Sequence, residues 1–183
     1  SFAEEQKTPQ IPYKTAPSIS RMQKQKEKYR WGVIYYMSYD NNLEKAGAEI
    51  LENIRKGITA PGTIAGIQAD FTDTAGMHRY VISKKGVYHS QITNDNSADE
   101  KVCTDYITWF MKEFPCTQYV IIFLNHGDSL DNMCRDDYPG KKGRAWMSAS
   151  VLGRRLRQLK QETGGNRVKL VFLQQCGRGS LTN

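Results

Sequence analysis

The sequence predicts an α/β fold built on a mostly parallel sheet. Four short apolar runs, Trp31–Met37, Thr63–Phe71, Tyr119–Leu124 and Val168–Leu173, are nearly continuous, as strands buried on both faces should be. Helical periodicity returns between them. Parallel strands need crossovers of a dozen or more residues, and the connections here are long enough and contain helices.

In chain order, residues 1–28 carry Pro9, Pro12 and Pro17 among polar and basic residues without apolar periodicity. They read as a linker or an arm on the surface. The first buried strand, Trp31–Met37, runs into Ser38-Tyr39-Asp40-Asn41-Asn42, a turn with helix-start chemistry and Asn41 or Asn42 as N-cap. A helix follows from about Leu43 to Lys56, with Leu43, Ala46, Ile50, Leu51 and Ile54 near one face and Gly57 as its stop. After the Thr63–Phe71 strand, Met77–Ser83 and Gly86–Ile92 alternate around Ser83-Lys84-Lys85-Gly86, a β-hairpin expected at a sheet edge. Ser97 and Glu100 have the spacing of a capping box for a helix ending near Phe114. Residues 128–143 read as a long polar loop. Ser148 caps a third helix, which Gly164-Gly165 ends before the last strand.

With 183 residues the chain is one domain, with an added tail at most. A hydrophobic fraction of 39% argues against a disordered chain, and no stretch approaches the roughly 18 apolar residues of a membrane span. Ser1 stands where a Met would open a chain, so a preceding piece is expected to have been removed. The formal charge is +7, with five basic residues in 21–30 and seven in 141–160. No aromatic-interleaved basic motif appears, so a charged tail and a wet helix face account for them and nucleic-acid binding is not expected. Cys103 and Cys116 would lie roughly 20 Å apart along a helix, too far for a disulfide. No C-x-x-C pair marks a zinc site.

Two of the strands end on reactive side chains. YVIIFLNHG delivers His126, and LVFLQQCGRGS delivers Cys176 fifty residues later. Parallel strands put both at the carboxyl edge of the sheet, where open α/β folds bind ligands. Neighbouring strands lie about 4.8 Å apart, near enough for His126 to serve as base to a Cys176 thiol whose ordinary pKa is about 8.5. Gly127, Gly177 and Gly179 let the chain turn sharply, and the amides of Gly127 and Cys176 are candidate oxyanion donors. Taken singly, Cys176 could be a buried structural cysteine and His126 a loop cap; their joint placement favours chemistry. His78 and His89 read as surface residues of the hairpin. A phosphate-cradling cysteine loop needs an arginine six positions on, but Thr182 is there and Arg178 comes too early.

The run QQCGRGS resembles the QACRG-type nucleophile loop of caspase-like peptidases. MSYDNNLE resembles the opening signature of the clostripain-like family, peptidase family C11, and NHG resembles that family's histidine motif. The resemblance spans Tyr29 to Ser180. It implies a caspase–haemoglobinase-like three-layer α/β/α sandwich, with residues 29–183 the N-terminal part of a peptidase domain. It also implies a cysteine endopeptidase with a His126–Cys176 dyad, cutting protein or peptide substrates after a preferred P1 residue. Such enzymes are bacterial, secreted or held at the cell surface or periplasm, and often mature by proteolytic cutting.

Two departures from the family pattern bear on specificity. Relatives that cut after Arg or Lys commonly carry an aspartate where this chain has Gln174. Gln174 is therefore a candidate lining of the P1 pocket, and Asp40 a candidate source of the missing charge. The aromatic that often follows HG is replaced by Asp128-Ser129-Leu130. Calcium dependence occurs in some relatives, but Asp136-Asp137 alone is no ligand set, and no metal or cofactor is expected. A caspase-like sheet needs further strands after the nucleophile. A second chain from the same precursor is expected to supply them, with Asn183 as P1 if cutting follows it. The alternative is a catalytically silent caspase-like binding module.

Overall fold

A computed structural model describes residues 11–23, 28–72, 76–128, 130–140, 143–163 and 167–175. Among the described residues, eight strands and three α-helices follow in the order β1 (Tyr29–Ser38), α1 (Glu44–Gly57), β2 (Thr63–Asp70), β3 (His78–Ser83), β4 (Gly86–Gln91), α2 (Glu100–Glu113), β5 (Cys116–Leu124), β6 (Asn132–Asp136), β7 (Ala145–Ser148), α3 (Ala149–Glu162) and β8 (Val168–Gln174). Six strands form one sheet in the order β4-β3-β2-β1-β5-β8, while β6 and β7 pair separately. β2, β1, β5 and β8 run parallel, and the hairpin β3–β4 is antiparallel at one edge. The four apolar runs are therefore the parallel strands, and the expected edge hairpin is present.

Period-two alternation divides the central side chains between two faces. Ile34 and Tyr36 of β1 join Ile121 and Phe123 of β5 against Tyr106, Ile107 and Phe110 of α2 and Leu152 and Leu159 of α3. Met37 joins Ile67 and Ala69 of β2 against Leu51 and Ile54 of α1. The result is the expected α/β/α sandwich. Each wholly buried aliphatic side chain contributes about 1.5–3 kcal/mol relative to exposure. Close approach of α2 to β2 depends on Gly66: a Cβ there would lie 2.4 and 2.5 Å from Phe110 Cδ2 and Cε2. Gly66→Ala is expected to destabilise the fold by about 1–3 kcal/mol, read as a lower urea midpoint at unchanged m.

Several local expectations are corrected. The 128–143 loop contains a strand, β6, which folds back on β7 as a second hairpin. Ser97 does not cap α2. Asp99 does, accepting from Lys101 N and Val102 N, while the buried Ser97 donates to Asp136. Glu100 accepts from Ser148 N instead of closing a capping box. Ser148 caps α3 as expected, its Oγ accepting from Val151 N at 3.2 Å. His78 is not a surface residue: it is 2% exposed and its Nδ1 is 2.9 Å from His89 Nε2. Gly164 and Gly165 lie outside the described residues.

Residues 11–23 lie against the domain. Pro12 O accepts from Tyr80 Oη, and Pro17 O accepts from His89 N at 2.9 Å, so the arm covers part of the β4 edge. The opposite edge strand, β8, has no described neighbour on its outer side. Leu170, Val171 and Phe172 are 53%, 42% and 48% exposed there.

Candidate active site

Parallel register gathers four strand ends at one sheet edge. Ser38 pairs with Asp70, Met37 with Leu124, and Leu124 with Gln174. The loops that follow carry Asp40, Asn41 and Asn42 after β1, and Asn125, His126 and Gly127 after β5. The β6–β7 hairpin folds over this edge: Gly127 bridges Met133, and Asp128 N donates to Asn132 O.

Buried amides tie these segments together. Asn41 and Asn125 are each 5% exposed. Asn41 Nδ2 donates to Arg135 O at 2.8 Å and lies 3.2 Å from Asn125 Oδ1, and Asn125 Nδ2 donates to Arg135 O at 3.1 Å. Asn125 Oδ1 in turn accepts from His126 N. Buried polar groups of this kind are costly to leave unpaired, so the network holds the three loops in one arrangement. Neither asparagine is the N-cap of α1, which is Leu43 without a side-chain cap; Asn41 Oδ1 instead accepts from Leu43 N at 2.9 Å in the turn before the helix.

Asn42, the other cap candidate, turns toward His126. His126 Nε2 lies 2.7 Å from Asn42 Oδ1, and Arg135 Nη2 lies 2.9 Å from that same oxygen. Arginine only donates, so the atom is the amide oxygen and not the nitrogen. Nε2 must then carry the hydrogen, which leaves Nδ1 as the basic nitrogen. His126 is half-buried, and its pKa is lowered from the ordinary histidine value, first by desolvation and then by the Arg135 charge, with Asp137 opposing. Arg135 is itself held by Asp137 at 3.0 Å, and Arg144 meets the same carboxylate at 2.8 Å. The arrangement presents a neutral imidazole with one defined lone pair.

The bridge to Met133 is of the type in which the flanking residues make the hydrogen bonds, as Asp128 N does. Gly127's own N–H is therefore outside that ladder, as an oxyanion donor would have to be. Gln174, the last residue of β8, is exposed. Gln175 follows it, with Nε2 3.4 Å from the buried Cys134 Sγ. Cys176, and with it the other amide expected as an oxyanion donor, lies outside the described residues. Asp40 is 5% exposed, and its carboxylate lies within 4.8 Å of those of Asp70 and Asp136. Burial first, and then the Asp136 charge, raises its pKa to about 7. Sequence reasoning did not find Asn42, Arg135 or Asp137 as supports of His126; only the double asparagine after β1 offered a signal.

No protein-family profile and no curated protein sequence matches this chain. Solved structures do. A secreted C11 cysteine protease from Bacteroides thetaiotaomicron, in complex with an irreversible peptide inhibitor, superposes with a TM-score of 0.63 at 18% identity over 81% of this chain and 43% of that one. An inactive zymogen C11 protease from Parabacteroides distasonis gives a TM-score of 0.61 at 18% identity, over 82% and 43%. The B. thetaiotaomicron protease called iotapain gives 0.60 at 9% identity, over 82% and 47%. This chain thus spans less than half the length of each of these proteins. Its six-stranded, mostly parallel sheet between helices is the fold of the C11, clostripain-like cysteine proteases.

Proposed function

We propose that this chain carries the catalytic half of a cysteine endopeptidase with a His126–Cys176 dyad. The observation that carries the reading is His126 at the carboxyl end of a parallel strand, with Nε2 engaged by Asn42 and Nδ1 left basic. Register adds support: Leu124 lies opposite Gln174, and His126 and Cys176 each follow two residues later in the sequence. Cys176 loses its proton to His126 and its sulfur attacks the scissile carbonyl. The N–H groups of Gly127 and Cys176 receive the developing oxyanion. His126 returns the proton to the leaving amine, and water then releases the acyl group from sulfur. Gln174 borders the P1 side chain. Asp40 contributes charge to P1 selection only through the buried acidic group it belongs to.

The open β8 edge and the exposed Leu170, Val171 and Phe172 favour a further segment that completes the sheet, supplied by a second chain cut from the same precursor. The secreted B. thetaiotaomicron enzyme favours a secreted or cell-surface location. No helix among the described residues is long and apolar enough to cross a membrane. The test is covalent labelling of the complete enzyme with thiol-reactive peptidyl inhibitors that vary only in P1. Stoichiometric modification of Cys176, with loss of hydrolysis, is expected. A folded, processed protein whose Cys176 never reacts would instead be a silent binding module.

The same reading sets a pH dependence. The base form of His126 is required, and its pKa is lowered by burial and by Arg135. Activity is therefore retained on acidification down to a value below the ordinary 6.5 or so. Arg135→Ala removes one lowering charge and frees Asp137, which acts to raise the pKa. The acid limb of kcat/KM is expected to move to higher pH, and a limb that stays in place or moves down would refute His126 as the titrating base.

A further inference from the structure

A groove of about 380 Å³ lies at the hairpin edge of the sheet and plays no part in the peptidase reading. Its floor is the hairpin, with Arg79 of β3 and Ile92 just after β4. Its wall is the end of α2, with Trp109 and Phe114, and its rim is the arm, with Ile19 and Met22. The arm is fastened there: Ser90 Oγ accepts from Ile19 N at 3.1 Å, and Pro17 O accepts from His89 N at 2.9 Å. β3 stands three strand places from β5, roughly 14 Å, so the groove is separate from the site around His126. Pockets of about 300–1,000 Å³ are the usual size for small organic ligands.

Arg79 gives the groove its chemistry. Its guanidinium lies over the Trp109 ring, 4.4 Å from the centroid, and its Nε donates to Gln68 Oε1 at 2.9 Å. One face and one edge are thereby fixed, and the two terminal nitrogens remain as a pre-set fork. Among the described residues those Nη groups have no hydrogen-bond partner, and Arg79 is in no ion pair. Asp105 acts on it only from farther away and is itself held by Lys101. Burial is the largest influence on Arg79 and lowers its pKa from the ordinary arginine value, so its charge is under-solvated and an anion would stabilise it. Most of the remaining lining is apolar. A single arginine suits one carboxylate held by two parallel hydrogen bonds, whereas Glu113 on the same wall disfavours a dianion such as phosphate. Five basic residues in 21–30, directly after the rim in the sequence, add a long-range attraction for anions.

We propose that this groove binds a small organic monocarboxylate with an apolar body. The Arg79 Nη groups take the carboxylate end-on, and the body lies among Trp109, Phe114, Ile92 and Met22. Because the rim belongs to the arm, an occupied groove ties the arm to α2 and the hairpin. The ligand touches neither the dyad nor the peptide substrate.

The test is calorimetric titration of the complete protein with 3-phenylpropanoate, paired with tryptophan fluorescence. One site per chain is expected, with Kd of about 1 mM or lower. The amide 3-phenylpropanamide keeps the body and loses the charge, and should bind at least about tenfold more weakly. Arg79→Met should weaken the acid by a similar factor while keeping the native circular dichroism. Trp109→Phe should retain the calorimetric binding and lose the fluorescence response, which locates the ligand in this groove. Acetyl-Ala-Phe, with a free or amidated end, separates the two sources of such a carboxylate. Its acid binding at least as tightly as 3-phenylpropanoate supports a peptide C-terminus as the ligand, and weaker binding supports a free acid. If Arg79→Met fails to fold, the acid–amide comparison and Trp109→Phe carry the test. No saturable binding of either acid, amides that bind as well as the acids, undiminished binding by folded Arg79→Met, or an intact fluorescence response in Trp109→Phe would overturn the proposal. None of these readouts requires peptidase activity, so failure of the dyad assignment would leave this result standing.

Discussion

Cys176→Ala is expected to abolish peptide hydrolysis, and His126→Ala to lower kcat/KM by about 10,000-fold or more. The first variant removes the atom that bonds to the substrate. The second leaves a thiol of ordinary acidity, a few per cent ionised at neutral pH, with no group to protonate the departing amine. Two members of one catalytic unit do not add, so the double variant should be no worse than Cys176→Ala alone. Unfolding is not the cause: His126 is half-buried in a loop, outside both hydrophobic clusters. Circular dichroism and urea midpoints of both variants should therefore match the wild type. Measurable turnover by folded, rigorously purified Cys176→Ala, or wild-type kcat/KM in His126→Ala, would end the peptidase reading.

What was legible in the sequence is what depends on burial. β1, β2 and β5 are apolar on both faces because helices cover both, whereas β8, expected to be buried, is apolar but largely exposed; run lengths located all four strands to within a few residues. Placement of His126 followed from that, since a parallel strand of known end delivers the next residue to the carboxyl edge. The β6–β7 hairpin was hidden for a physical reason. Asn132-Met133-Cys134-Arg135-Asp136 is short, and its polar residues serve the site: Asp136 joins the acidic group and Arg135 bonds Asn42. The same competition defeated the capping box. Ser97 has cap spacing, yet Asp136 claims its N–H and hydroxyl, and Asp99 takes over the helix start. The acidic group draws on three strand ends far apart in the chain, and no local pattern could announce it. His78 looked exposed because hairpins alternate, but alternation alone does not say which face is covered.

Asn42→Ala is expected to lower kcat by about 10–100-fold, the usual scale for a residue that positions a catalytic group, with little change in KM. Asn42 Oδ1 is bonded by both His126 and Arg135, so it fixes which imidazole nitrogen carries the hydrogen. Without it the ring is free to rotate and to exchange tautomers, and only part of the population presents Nδ1 as a base. Asn42 is exposed and bonds little else, so the urea midpoint should hardly move; a loss of activity through unfolding would show there. Asn42→Asp sharpens the test because it keeps the acceptor oxygen and adds a charge. It should recover much of the lost kcat, while the carboxylate favours the imidazolium and moves the acid limb of kcat/KM to higher pH. A purely structural asparagine predicts otherwise: both variants would change stability together and leave the pH profile where it was. If Asn42→Ala leaves kcat unchanged, His126 is oriented by something other than Asn42, and the defined tautomer is not part of how this site works.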